Sequence, residues 1–304
     1  MDWESCIRGF KAYLQFEKSL ADNSVSAYLN DLRKLRNFFD LPEGGKGPDK
    51  LDSHDLSQFV TAIAGFMPSP GSQARMLSGI RTFYKYLLLE NIVDDDPTEL
   101  LEGPRLKRKL PSVLSVQEIE KMMAAIDHSR LKGQRLRVMI ELLYGCGLRV
   151  SELTGLRRSD LHLDEGYIRV IGKGNKERLI PIGASAAEQL QLYLDTVRVH
   201  QEAQRGFEDF IFLNRFGKNI SRISVFTAIK ALAKEAGIKK EVSPHTFRHS
   251  YATHMVNGGA NLRAVQQMLG HESITTTEIY THLSRDYLRD TLMMYHPRYR
   301  KKKD

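Results

Sequence analysis

The sequence predicts a mainly α-helical protein of two domains, all-helical in the first and mixed α+β in the second. Three observations carry this. Apolar residues recur at helical spacing through the first hundred residues. A basic stretch without periodicity and bracketed by prolines, GPRLKRKLP, then interrupts them. Beyond it helical patterns resume around one hairpin signal, YIRVIGKGNKERLIPI. The expected limits are a helical domain over 1–103, a linker over 104–111 and a second domain over 112–304.

In the first helix Ile7, Phe10, Tyr13, Leu14 and Phe16 recur at roughly helical spacing. The second starts near Asn23, with DNS as start signal and Tyr28, Leu32, Leu35 and Phe38 on one stripe. LPEGGKGPDK is a loop, since Gly and Pro dominate it. SHDLSQFVTAIAGF and GSQARMLSGIRTFYKYLLLE follow as helices. The latter sets Arg75, Arg81 and Lys85 against an apolar stripe of Met76, Ile80, Phe83 and Tyr84. Such a helix packs on one side and offers a basic face on the other; an ordinary amphipathic helix gives the same pattern.

Past the linker, Ser115 is an N-cap with Glu118 as its capping-box partner. LRVMIELLYGCG reads as a buried helix stopped at glycine, followed by LRVSELTGL. The hairpin places β-branched runs on either side of a Gly-Lys-Gly-Asn turn. ASAAEQLQLYLDTVRVH is helical, FIFLNRFGKN is a short strand and turn, and helices run to the end.

At 304 residues, 41% hydrophobic and 27% charged, the chain has the profile of a soluble globular protein with room for two cores. No apolar run reaches bilayer-spanning length, and MDWESCIRGF has no signal-peptide pattern. Cys6 and Cys146 stand far apart in no metal or redox spacing, which fits a reducing, cytoplasmic setting. The net charge of +8 is uneven. Residues 1–104 hold 11 Lys+Arg against 16 Asp+Glu, leaving the rest with 34 against 21 of the chain's 45 and 37. The excess of cations therefore sits in the second domain and linker, where it suits a polyanionic partner.

SPHTFRHSYATH concentrates the candidate chemistry. Ser243 is an N-cap and Pro244 fits the first helical position, so a helix begins there and closes at Gly258-Gly259. His245 and His249 share the i,i+4 spacing of zinc helices, but Thr246 stands where HExxH needs its glutamate. No Cys, Asp or Glu joins that face, and His254 lies on the opposite one, so no metal site is expected. An anion grip fits better. His245 is in the first turn, where free N–H groups and the helix dipole favour negative charge. Arg248, about 60° round the helix, offers a guanidinium fork. His249 and His254 are expected as packed, hydrogen-bonded residues.

SPHTFRH together with GCGLRVSEL at 145–153, VIGKGNKERLIPI at 170–182 and LGHESITTTEIYTH at 269–282 resembles the signature of the tyrosine recombinases, the integrase family. Within it the chain is similar to the bacterial Xer branch, the D type rather than the C type. The likeness spans essentially the whole chain, including LADNSVSAYLNDL, ARMLSGIRTFYKYL and the closing YHPR. It implies a SAM-like core-binding first domain and a tyrosine-recombinase catalytic second domain, closing on duplex DNA.

Matched position by position, the resemblance implies catalytic roles for Arg149, Lys173, His245, Arg248, His271 and Tyr280. Tyr280 is the implied nucleophile, forming an O-(3′-phospho-DNA)-tyrosine intermediate. Lys173 is the implied proton donor to the leaving oxygen, with Lys176 as a rival in the same turn. Glu152 is implied as a brace; His249, beside His245 on the helix, is expected as a support. Arg75, Arg81, Lys85, Arg105, Lys107, Arg108 and Lys109 are candidate contacts to the DNA backbone. The chemistry needs no metal or other cofactor, since guanidinium groups neutralise the phosphorane.

The partners implied are a double-stranded recombination site, a second Xer recombinase in a heterotetramer, and a septal DNA translocase as activator; no membrane is involved. The implied task is resolution of chromosome dimers. The tail SRDYLRDTLMMYHP, with Leu288, Leu292 and Met293 as an apolar stripe, is expected to dock on a neighbouring protomer, or else to pack on its own domain. A mobile-element integrase, a type IB topoisomerase-like relaxer and a DNA-binding subunit without chemistry stay open as alternatives.

Overall fold

The computed structural model describes residues 2–39, 45–67, 69–104, 112–172, 176–270 and 285–299. The chain forms two compact units, Met1–Lys109 and Leu110–Asp304. The expected linker residues 105–111 lie outside the described residues.

The first unit is built from α1 (Trp3–Ala12), α2 (Asp22–Phe39), α3 (Ser53–Phe66) and α4 (Pro70–Leu89). Asp52 and Asp55 close a capping box at the start of α3, and Pro70 opens α4, so both helices begin where sequence chemistry directs. Phe10, Leu14, Leu32, Leu35, Leu56, Phe83 and Tyr84 form the shared core. Phe10 meets Phe83 edge-on, their ring centroids 5.2 Å apart.

One expectation about side-chain direction fails here, and another is qualified. After Ala12 the helix continues as a π turn over Tyr13–Glu17, and Phe16 is 82% exposed. The wider turn shifts the face that each residue presents, so Phe16 leaves the stripe that holds Phe10 and Leu14. On α4, Arg75 pairs with Asp31 of α2, a carboxylate that is 1% exposed, while its own side chain stays 44% exposed. Arg81 donates to the carbonyl of Leu101. Lys85 alone of the three is exposed without a partner among the described residues. A buried carboxylate needs a counter-charge, and Arg75 supplies it from the outward face of α4.

The second unit contains α5 (Val116–Ala124), α6 (Leu131–Gly145) and the short α7 (Val150–Gly155). Strands β1 (Leu161–His162), β2 (Tyr167–Ile171) and β3 (Glu177–Pro181) follow, then α8 (Ala184–Thr196), α9 (Arg222–Glu235), α10 (Pro244–Asn257), α11 (Leu262–Leu269) and α12 (Arg285–Tyr295). The Ser115–Glu118 capping box forms as expected. Among the described residues the strands make one antiparallel sheet in the order β1-β2-β3. The expected hairpin is β2 and β3, with Tyr167 opposite Pro181 and Val170 opposite Arg178. FIFLNRFGKN forms isolated bridges, Arg157 with Phe210 and Leu213 with Asn219, around a turn rather than a strand.

Helix α12 packs on its own unit. Leu288 and Leu292 are buried in that core, while Met293 is 40% exposed, so the apolar stripe is narrower than the sequence suggested. His296 follows, fully buried. Its Nε2 faces the carbonyl of Tyr144 at 3.3 Å, and its Nδ1 accepts from the Arg298 amide at 3.2 Å. Those partners fix a neutral ring protonated at Nε2. Arg298 in turn pairs with the buried Glu141 of α6. The last described residues are thus clamped by polar contacts to the end of α6.

Burial lowers the His296 pKa from 6.5 to about 3. Below pH 6.5 the unfolded chain takes up a proton that the folded chain refuses, so this contribution is complete above 6.5 and lost as pH falls toward 3. Between pH 6.5 and 5, unfolding free energy should fall more steeply in the wild type than in His296→Asn, the difference approaching about 1.4 kcal/mol per pH unit. Urea unfolding followed by circular dichroism reads it, while the fluorescence of Trp3 separates out the first unit. Equal slopes would refute the assignment.

Candidate functional site

The site is built where α10, the turn after α6 and the end of α11 meet. Ser243 caps α10 through the Thr246 amide, and Pro244 occupies the first helical turn. That start exposes His245 at the helix entrance and turns Arg248 inward, 7% exposed. Arg248 Nη1 donates to the carbonyl of Gly147 at 2.6 Å, and Nη2 donates to that of Leu269. Gly147 has φ +62°, and a Cβ there would lie 2.8 Å from the ring of Tyr251 and 2.9 Å from Leu269. Backbone and space both demand glycine, so the GCG turn follows from its carbonyl having to reach Arg248.

Arg149 is the N-cap of α7. Its amide and its Nη1 donate to the two carboxylate oxygens of Glu152, each at 2.8 Å, and its Nη2 donates to the carbonyl of Gly270 at 2.9 Å. The side chain of Glu152 is 1% exposed. It also receives both terminal nitrogens of Arg178 on β3, at 2.7 and 2.9 Å. Burial by itself would raise the pKa of Glu152. Hydrogen bonds and charge from Arg178, then from Arg149, outweigh it and hold the carboxyl below its ordinary value. It is therefore an ionised carboxylate between two guanidinium groups.

Arg178 Nε reaches the carbonyl of Met268 at 3.1 Å. Three successive carbonyls at the end of α11 thus each accept from a different arginine: Met268 from Arg178, Leu269 from Arg248 and Gly270 from Arg149. Helix ends leave carbonyls unsatisfied and carry partial negative charge, so cations are the natural caps. Gly270, in the left-handed conformation at φ +63°, closes the helix.

Arg178 was not singled out by sequence reasoning. Its signal was register: it stands directly opposite Val170, which is 2% exposed, and so lies on the inward face of the hairpin. An inward arginine requires a buried acceptor, and Glu152 is that acceptor.

Electrostatics differ across the cluster. Burial, and after it the charges of His249, Arg248 and Arg149, lower the pKa of His245. The ring is thus neutral near pH 7, offering one N–H and one lone pair. Burial, and next to it Arg149, lowers Arg248 to about 10, which leaves it charged at neutral pH. Packing like charges this closely costs free energy that an anion seated between them would offset.

Arg149, Glu152, His245 and Arg248 are brought together. Lys173, His271 and Tyr280 lie outside the described residues, as do Arg105, Lys107, Arg108 and Lys109. His249, expected as a packed support, is exposed instead, because it follows His245 round the open face of α10. His254 lies on the far face, its Nδ1 2.8 Å from the hydroxyl of Tyr144. Among the described residues no group of three or more His, Cys, Asp or Glu is arranged to hold a metal ion.

Comparison with known proteins bears on this site. Residues 112–286 match the model of the phage integrase family, and residues 7–91 match the phage integrase N-terminal SAM-like domain. The chain is 40% identical over 292 residues to tyrosine recombinase XerD of Listeria innocua, covering 96% of this chain and 98% of that one. It is 41% identical over 303 residues to XerD of Chlorobaculum tepidum, covering 97% of each. Among solved structures, the Tn1549 transposon integrase in complex with transposon right-end DNA superposes with a TM-score of 0.70 at 19% identity, over 95% of this chain and 98% of that one. XerH bound to palindromic difH, a post-cleavage complex, gives 0.68 at 22% identity, over 90% and 77%. These two establish the fold, and the XerD relatives agree with the D-type resemblance of the sequence. With both family models matched and such identity along nearly the whole chain, the protein belongs to the phage integrase family and is a tyrosine recombinase, an enzyme that breaks and rejoins DNA.

Proposed function

We propose that the chain is a site-specific recombinase of the XerD kind that resolves chromosome dimers at cell division, in the cytoplasm, together with a second Xer recombinase and under a septal DNA translocase. The observation that carries the chemical part is the pairing of Arg149 and Arg248 on adjacent carbonyls at the end of α11, with His245 open beside them. Two guanidinium groups so placed match the two non-bridging oxygens of one phosphodiester. His271 and Tyr280 follow that helix end directly in the chain.

In this reading Tyr280 attacks the phosphorus and forms a 3′-phosphotyrosyl bond, which conserves the energy of the broken link for rejoining. Negative charge grows on the non-bridging oxygens in the five-coordinate transition state. Arg149 and Arg248 neutralise it, with His245 and His271 as hydrogen-bond donors. Lys173 protonates the departing 5′ oxygen. A free tyrosine ionises only near pH 10, so the surrounding cations also favour its phenolate. Guanidinium groups fill the electrostatic role that a metal holds in other phosphoryl-transfer sites.

The test is a nicked suicide duplex built on the sequence that the wild-type chain selects from a randomised DNA pool. The wild type should form a covalent protein–DNA adduct, with or without EDTA. Tyr280→Phe should bind the duplex and form none; an adduct that survives this change assigns the nucleophile elsewhere. Arg149→Ala and Arg248→Ala should each slow adduct formation by about 100- to 1000-fold, the usual cost of removing a preorganised donor. Arg149→Lys should recover little, because an ammonium cannot serve the carboxylate of Glu152, the carbonyl of Gly270 and a phosphate together. Rates within a few-fold of wild type would remove these arginines from the chemistry.

A further inference from the structure

We propose that Arg178 is a positioning residue for strand cleavage, tying into one unit the three chain segments that carry Arg149, Lys173 and the His271–Tyr280 stretch. The proposal rests on the recombinase reading above and adds to it a residue whose guanidinium nitrogens are all held by protein acceptors.

Arg178 is committed inside the protein. Its Nη1 and Nη2 hold the two oxygens of Glu152, at 2.7 and 2.9 Å, and its Nε holds the carbonyl of Met268 at 3.1 Å. Every nitrogen has an internal acceptor, and the side chain is 15% exposed. Arg149 is more open, at 28%. Arg149 and Arg248 also use both terminal nitrogens on protein acceptors, but neither has an acceptor for its Nε among the described residues. Arg178 has all three engaged and so acts by fixing geometry.

Each contact leads to a different segment. Through Glu152, Arg178 sets Arg149, whose amide and Nη1 share the same carboxylate. Through Met268 it fixes the last turn of α11, two residues before Gly270 and three before His271. At Gly270 a Cβ would sit 3.0 Å from the guanidinium, so backbone and side chain are already in close contact. The third link is its own strand. Gly172, which precedes Lys173, lies against the same ion pair, with a Cβ position 3.3 Å from Nη1 of Arg178 and 3.7 Å from Oε1 of Glu152. The hairpin closes beneath it through the Gly172 amide and the Lys176 carbonyl at 2.8 Å.

Without Arg178 the buried Glu152 would keep Arg149 as its direct partner, with Arg248 as the other nearby cation. Its carboxyl would then take up a proton at higher pH than in the wild type. A neutral Glu152 holds Arg149 less firmly, and the substitution itself removes the donor to the Met268 carbonyl. Misplacement of a reacting group by about 1 Å can cost on the order of 100-fold in rate.

The experiment compares wild type, Arg178→Met, Glu152→Gln and the double variant on the selected suicide duplex, measuring binding and single-turnover adduct formation at saturating protein across pH. Arg178→Met should bind within about threefold of wild type and cleave about 100-fold more slowly. The pH below which its cleavage falls should move upward. Because the two residues act as one unit, the double variant should be no slower than the slower single variant, within about threefold. Losses that multiply, an unmoved acid limb, or cleavage at the wild-type rate would overturn the proposal. If Arg178→Met does not fold by circular dichroism, Arg178→Lys decides, since it keeps the charge but cannot reach Glu152 and Met268 together. It should bind normally and cleave about tenfold more slowly, and wild-type cleavage by it would overturn the proposal. A wild type that forms no adduct overturns the recombinase reading and this role with it; a reactive wild type confines any failure to Arg178.

Discussion

The capping of one helix end organises the candidate site. Helix α11 leaves the carbonyls of Met268, Leu269 and Gly270 without helical partners, and three arginines from β3, α10 and the start of α7 satisfy them one apiece. A helix of eight residues is too short to hold its own end in place by propensity alone. The arginines fix it, and the helix end fixes the arginines in return. Two of these three are the groups assigned to the phosphate. The segment bearing Tyr280 leaves from the same helix end.

Buried charge makes such an arrangement possible. Arg149, Arg178 and Arg248 crowd together, and Glu152 is the carboxylate that compensates them from within. Gross attraction inside a protein is strong, but so is the cost of removing each ion from water, so a cluster of this kind does little for net stability. What it supplies is definite geometry, because each donor has one acceptor and little slack. Glycines at 147 and 270 let the backbone carbonyls approach the guanidinium groups: a Cβ at 147 would collide with Tyr251 and Leu269, and one at 270 would press on the Arg178 guanidinium. A preorganised cationic pocket also matches the needs of phosphoryl transfer, where charge develops late and solvent reorganisation is costly.

Much of the local structure was legible before any coordinates. The capping box at Ser115, the N-cap at Ser243, the helix over Ser53–Phe66 and the β2–β3 hairpin all follow from short-range rules that act within a few residues. The recombinase signature was equally legible, since it consists of motifs in a fixed order. The failures share a different cause. Arg75 and Arg81 looked like a free basic face, but Asp31, 44 positions away, and the Leu101 carbonyl, 20 positions away, each take one as a partner, Arg75 while it stays exposed. His249 looked like a packed support because it shares a motif with His245, yet nothing covers that face of α10 among the described residues.

The sequence by itself determined the helical character of the first unit, the caps, the hairpin, the family and the identities of the candidate catalytic residues, because composition, spacing and motif order are properties of the chain read in line. Only the tertiary structure decided that α12 packs on its own unit and that His296 is held neutral at the end of α6. It also decided that Arg178, from a strand, shares Glu152 with Arg149, 29 positions away in the chain. The reason is physical. A buried charge is satisfied by whatever partner the fold brings within about 3 Å, and no periodicity in the chain encodes which distant residue that will be.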